Sequence, residues 1–198
     1  MPRHPDPELE QRILKAAGAL WHRGGERALT MRAVAKAAGT NTPAVYRRFT
    51  NRQDLIRALL RRFADRLLAH FERGDNVEDM SAAYIDYALK SPYEYQLFLK
   101  HSRLLDGATK RGPIRPIRES RPNFAFAEQA IAREFGGSPQ DHSQFALMLW
   151  ALLHGTVALL LDKSIPQGHE EELLRASRAA VKALIEHTKK ITASRSPA

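Results

Sequence analysis

The chain contains no cysteine. That excludes a disulfide framework, a thiolate metal site and a cysteine nucleophile. The short motifs of common enzyme chemistry are also missing: no GxSxG elbow, no HExxH pair and no GxxxxGK phosphate loop occur in the sequence. Glu170, Glu171 and Glu172 form a carboxylate run, but consecutive helical positions diverge, so they read as a solvated helix start. His142, His154 and His169 are too scattered to suggest a metal. Neither catalysis nor a metal or cofactor is expected. No segment alternates apolar and polar residues as a half-buried strand would, so the expected fold is all-α.

Long apolar runs are scarce as well. One stretch, FALMLWALLHGTVALLL at 145–161, is interrupted in the middle by His154, Gly155 and Thr156, whereas a spanning helix wants about 20 predominantly apolar residues. It reads as a buried core or interface helix, and no membrane partner is expected. The opening residues MPRHPDPELEQ lack the apolar run of a secretory signal, which points to the cytoplasm.

What is present is enough hydrophobic material for a core, 43% of 198 residues, in one compact unit or two small helical ones. The net charge is +9, and it is concentrated. Between Leu20 and Arg62 lie ten cations, Arg23, Arg27, Arg32, Lys36, Arg47, Arg48, Arg52, Arg57, Arg61 and Arg62, against two carboxylates, Glu26 and Asp54. A cationic field of this kind favours a polyanion such as nucleic acid, although a solvated basic face has the same composition.

Helical signals run through the chain. Leu9, Ile13, Ala16, Ala17, Leu20 and Trp21 recur at three- and four-residue steps, with Asp6 as N-cap, Pro7 in the first turn and Gly24-Gly25 as the stop. Thr30 caps a short second helix that Gly39 ends, and Asn41 caps a short third with Thr42 and Pro43 in its first turn. Thr50-Asn51 breaks it and opens a longer fourth helix that runs to about Gly74. Further helices are expected at 77–90, 92–105, 122–135, 139–163 and 169–191. The glycine-, proline- and arginine-rich stretch at 107–123 reads as a mobile loop, and the tail after Thr192 as frayed.

A short helix, a glycine turn and a second short helix make a helix-turn-helix, whose second helix enters the major groove of DNA. Gly39 provides the positive φ of the turn, while Ala35 and Ala38 are small enough for close helix crossing. On the third helix Val45 and Phe49 are expected to pack inward, leaving Thr42, Ala44, Arg47 and Arg48 outward. Pro43 and Ala44 offer apolar surface for thymine methyls, and Arg47 suits guanine or a phosphate. Thr30, Tyr46, Arg48 and Arg52 are the candidate phosphate contacts.

The run ILKAAGALWHRGGERALTMRAVAKAAGTNTPAVYRRFTNRQDLIRAL, 13–59, resembles the N-terminal DNA-binding domain of the TetR family of transcriptional regulators. The matching points are Ala17, Trp21, Gly24, Thr30, Arg32, Val34, Ala35, Ala38, Gly39, Pro43, Val45, Tyr46, Phe49, Arg52 and Leu55. Trp21 stands where phenylalanine is usual, Thr40-Asn41 where an apolar residue and serine are usual, Arg48 where histidine is common and Arg52 where lysine is. The resemblance implies a DNA-binding domain at 1–52, whose contacts would include Arg32 and Asn41 beside the residues above. It further implies a ligand-binding and dimerising domain at 53–192, with 193–198 left as a disordered tail. A homodimer through the last two long helices, a palindromic double-stranded DNA operator and a small-molecule effector follow from the same resemblance.

Trp150, His154 and Gly155 in WALLHG resemble the signature of a TetR C-terminal subclass named for its Trp, His and Gly. Trp150 and His154 share a helical face and are expected to line a cavity with Tyr84, Tyr87, Phe98, His101 and Phe124. Aromatic residues at helical spacing serve equally well as plain core. The expected effector is small and apolar or aromatic, and stabilises a dimer whose recognition helices are mis-spaced for the operator. The expected role is that of a repressor, with an activator or a constitutive DNA-binding protein without effector as the alternatives.

Overall fold

The computed structural model describes residues 8–106 and 116–195. These form α1 (Leu9–Ala28), α2 (Met31–Ala37), α3 (Thr42–Arg48), α4 (Arg52–Phe71), α5 (Val77–Lys90), α6 (Pro92–His101), α7 (Ile117–Ser120), α8 (Pro122–Phe135), α9 (Ser143–Leu161) and α10 (Glu170–Arg195). Short 3-10 stretches follow α6 (Ser102–Asp106) and precede α9 (Pro139–His142). There is no strand among the described residues, and the fold is all-α as expected.

The described residues divide into two compact units, 8–63 with 93–106, and 64–92 with 116–195. This is not the boundary at residue 52 expected from the sequence. The first part of α4 contributes Leu55, Ile56, Leu59 and Leu60 to the same core as Ile13, Ala17 and Trp21 of α1, and Leu97 of α6 joins it. Burying such a side chain fully contributes about 1.5–3 kcal/mol, so α4 cannot leave this unit where the recognition helix ends. α6 is fastened further by Trp21, whose Nε1 donates to the carbonyl of Tyr93 at 2.8 Å.

In the second unit the end of α4 supplies Leu67 and Phe71. α5 adds Val77, Met80 and Tyr84, α8 adds Phe124 and Ile131, α9 adds Phe145, Leu149, Leu153 and Val157, and α10 adds Val181 and Ile185. α9 and α10 are also joined by a buried polar link, the hydroxyls of Thr156 and Ser177 lying 3.0 Å apart. Paired in this way, neither hydroxyl carries the cost of an unsatisfied buried group.

Two local expectations differ from what is observed. Part of the stretch read as a loop is helical, at Ile117–Ser120, because Pro116 fixes the φ before it (−54°) and the helix starts directly after. Residues 107–115 of that stretch lie outside the described residues. α10 continues to Arg195, past the point where fraying was expected, and residues 196–198 lie outside the described residues. The expected cap Asp6-Pro7 is likewise outside them.

Candidate nucleic-acid interface and ligand cluster

The turn between α2 and α3 is built by backbone hydrogen bonds. Thr40 N donates to Ala35 O at 2.9 Å and Gly39 N to Lys36 O at 3.3 Å, the paired bonds of a Schellman motif. The motif puts its central residue in the left-handed region, and Gly39 has φ +65°. Caps then fix both helix starts: Thr30 Oγ1 accepts from Ala33 N at 3.2 Å, and Asn41 Oδ1 accepts from Ala44 N at 2.9 Å. Asn41 is thereby occupied as a cap, though its side chain is exposed.

α3 is held from beneath by Val45, fully buried, and by Phe49. Its outer surface carries Pro43, Tyr46, Arg47 and Arg48, all exposed, with Thr42 half-buried beside them. Tyr46 keeps 50% of its surface accessible, unusual for an aromatic side chain in so small a unit. Arg32 on α2 and Thr30 at its start are exposed on the preceding element. Ala44 is a correction: expected outward, it is 4% exposed, because α3 presents Ala44 together with Val45 to the core.

Arg52 is engaged within the unit. Its Nε donates to Leu29 O at 2.7 Å, Nη2 to Glu26 O at 2.8 Å and Nη1 to a Glu26 carboxylate oxygen at 3.3 Å. The side chain therefore braces the start of α4 against the chain between α1 and α2. The α1 chain turns there because Gly24 and Gly25 leave helical geometry, Gly25 at φ +57°. The same Glu26 carboxylate pairs with Lys100 and lies 3.8 Å from His101 Nε2, both on α6. Hydrogen bonding from Lys100 holds the Glu26 pKa below its ordinary value, with Arg52 acting in the same direction and partial burial opposing. Sequence reasoning missed this hub. The available signal was that Glu26 is one of only two carboxylates among ten cations.

Of the seven expected ligand-contacting residues, five fall in the second unit. Tyr84 Oη lies 3.2 Å from His154 Nδ1. The His154 ring meets Trp150 edge-to-face at 6.0 Å, and Trp150 meets Phe124 at 6.2 Å. Phe71 stacks on Tyr84 and on Phe126, while Tyr87 packs against His70. Burial lowers the His154 pKa, so the imidazole is neutral near pH 7 and shares a proton with Tyr84 in a direction set by its tautomer. The other two belong to the first unit: Phe98 packs on Phe63, and His101 meets Trp21 edge-to-face.

Residues 13–59 match the family model described as bacterial regulatory proteins, tetR family, and residues 77–187 match that of a tetracyclin repressor-like C-terminal domain. The chain belongs to the TetR family. It is 28% identical over 158 residues to an uncharacterised HTH-type transcriptional regulator, Rv0681, of Mycobacterium tuberculosis (strain ATCC 25618 / H37Rv), covering 74% of this chain and 67% of that one. A transcriptional regulator from Rhodococcus sp. Rha1 superposes with a TM-score of 0.66 at 18% identity, over 91% of this chain and 97% of that one. A TetR variant from Acinetobacter baumannii AYE, solved with minocycline, gives 0.63 at 16% identity, over 96% and 99%. At these identities the two structures speak for the fold. This TetR-family protein is a transcriptional regulator with a helix-turn-helix DNA-binding domain and a ligand-binding domain.

Proposed function

We propose that this TetR-family regulator is a cytoplasmic repressor that binds a palindromic operator as a homodimer and leaves it when a small apolar or aromatic effector binds. The observation that carries the reading is that one chain holds both a recognition surface, exposed at Pro43, Tyr46 and Arg47 with Thr42 half-buried beside them, and a largely enclosed aromatic cluster with a neutral histidine. In this reading Tyr46 and Arg48 hold phosphates, together with Thr30 and Arg32. Thr42, Pro43 and Arg47 face base edges. Arg52 serves the interface by bracing α4.

The homodimer is supported by α9. Its stretch with the preceding turn, Pro139–Leu161, is long and apolar enough to cross a membrane, yet only 33% of an 18-residue apolar window within it is buried in the chain. Leu147 (38%), Met148 (50%) and Leu159 (40%) stand out from it, and Ala151 is exposed between them. An apolar stripe of this size calls for a partner, and a second copy packing α9 and α10 into a four-helix interface covers it. In this reading the ligand-binding part is of the Trp-His-Gly kind, which the resemblance of Trp150, His154 and Gly155 to that signature supports.

Effector-driven release is tested by screening small molecules for those that raise the melting temperature and lower operator affinity together. A compound doing both supports the switch. If every compound that stabilises the protein leaves DNA binding unchanged, the regulator is constitutive.

A further inference from the structure

The buried stripe of α8 carries an acid. Phe124, Glu128 and Ile131 follow at helical spacing, and Glu128 is 1% exposed between its two apolar neighbours. One carboxylate oxygen is well served: Oε1 accepts from Arg118 Nη2 at 3.1 Å and from the Ser143 hydroxyl at 2.7 Å. The other, Oε2, is buried and has no hydrogen-bond partner. A carboxyl oxygen offers two lone pairs, and leaving them unmatched in the interior forfeits the hydrogen bonds that water would supply.

The surroundings define what would match it. Ser143, Trp150 and His154 lie on one stripe of α9, seven and four residues apart. Across from them, Glu128 meets Ser143 and Phe124 meets Trp150. Phe124 and Glu128 are one helical turn apart, about 5–6 Å. An aromatic wall therefore stands one helical turn along from this oxygen, and the imidazole of His154 against Trp150 is neutral near pH 7, its pKa lowered by burial. Trp150 supplies the kind of ring face that best holds a cation. Arg118 is the cation already present: of the two carboxylate oxygens its Nη2 reaches only Oε1, and the same nitrogen donates to the Ser143 hydroxyl at 3.0 Å.

We propose that Glu128 Oε2 is the recognition point for a protonated amine or similar cationic donor carried by an aromatic effector. The proposal rests on the reading of this unit as an effector site and adds the chemical class that the site selects. The ligand's N–H donates to Oε2 in a charge-assisted hydrogen bond, its ring lies against Phe124 and Trp150, and Arg118 and Ser143 stay on Oε1.

The test uses the full chain and three probes of one shape: 1-naphthylmethylamine, 1-naphthylmethanol and 1-naphthoate, titrated calorimetrically at pH 7.5. The amine is expected to bind about tenfold more tightly than the alcohol, with the anion weakest. In Glu128→Gln, which keeps the shape and one acceptor for Arg118, that preference falls to about twofold or less. Should this variant not fold, the three-probe comparison on the wild type decides alone. Equal binding of amine and alcohol, no binding of the amine at millimolar concentration, or an unchanged preference in Glu128→Gln overturns the proposal. An alcohol or anion that binds best and also releases DNA overturns it while leaving the effector reading intact. A Glu128-dependent amine that leaves DNA binding unchanged supports the site and removes the effector reading instead.

Discussion

Arg52 Nη2 donates a 2.8 Å hydrogen bond to the backbone carbonyl of Glu26. Two more bonds from the same guanidinium reach Leu29 O and the Glu26 side chain, so this arginine ties α4 to the segment that delivers the chain into α2. Arg52→Ala is expected to destabilise the protein by about 1.5–3 kcal/mol, the range for hydrogen bonds to charged groups. Chemical denaturation measures it. An unchanged midpoint with weakened DNA binding would make Arg52 a phosphate ligand instead.

Tyr46→Ala behaves differently in this account. Its side chain is half exposed, so stability should change little, within about 0.5 kcal/mol. DNA affinity should fall to a similar degree for every sequence as a phosphate anchor is removed. Arg48→Ala should do the same and also lower the salt slope by about 0.9. A loss confined to one base pair would contradict both assignments.

Arg47→Ala should alter which operators are preferred, by about 1–3 kcal/mol at one base position if its guanidinium is bidentate to guanine. Competition binding against operators changed at single positions reads this directly. Uniform weakening across them would place Arg47 on the phosphate backbone.

Gly39→Ala probes the turn. The added Cβ meets no heavy atom within 4 Å, so crowding is absent and the cost is that of the left-handed φ of +65°. About 1–2 kcal/mol is expected, seen as a lower denaturation midpoint; no loss would mean the turn relaxes into another conformation.

These predictions mark where local signals sufficed. Thr30, Asn41 and Gly39 were readable because caps and the Schellman turn are satisfied within a few residues of themselves. Arg52 and Ala44 were not. Which face of a seven-residue helix is buried, and what a guanidinium reaches 23 or 26 residues away, depend on tertiary packing that short periodicity does not encode. α6 is the same lesson at larger scale: it follows α5 in the chain yet builds the core of the first unit through Leu97. Among the ligand candidates the aromatic residues were visible, while Glu128 was passed over. An acid in an apolar stripe, Phe124-Glu128-Ile131, was the signal available.

Acid should weaken the fold in two windows. Burial holds the His154 and His101 pKa values below 6.5, so the unfolded chain takes up these protons first. Their contribution to stability is present above about pH 6.5 and declines as pH falls toward the folded values. Glu26, lowered from 4.5 chiefly by Lys100, contributes stability above its unfolded value that is lost at lower pH. Denaturation midpoints between pH 8 and 4 should therefore fall, and His154→Gln should flatten the upper part of that curve. A wild-type curve flat from pH 8 to 5 would contradict the neutral, partly buried histidines.

The central claim, a dimeric regulator reading specific DNA through α3, is tested most directly by selecting bound sequences from a random duplex pool with the purified protein at near-physiological salt. A palindrome whose half-sites lie about 34–36 Å apart, or a multiple of that distance, is the expected result. Recovery of sequences with no shared motif would contradict it, reducing the basic first unit to a nonspecific polyanion binder.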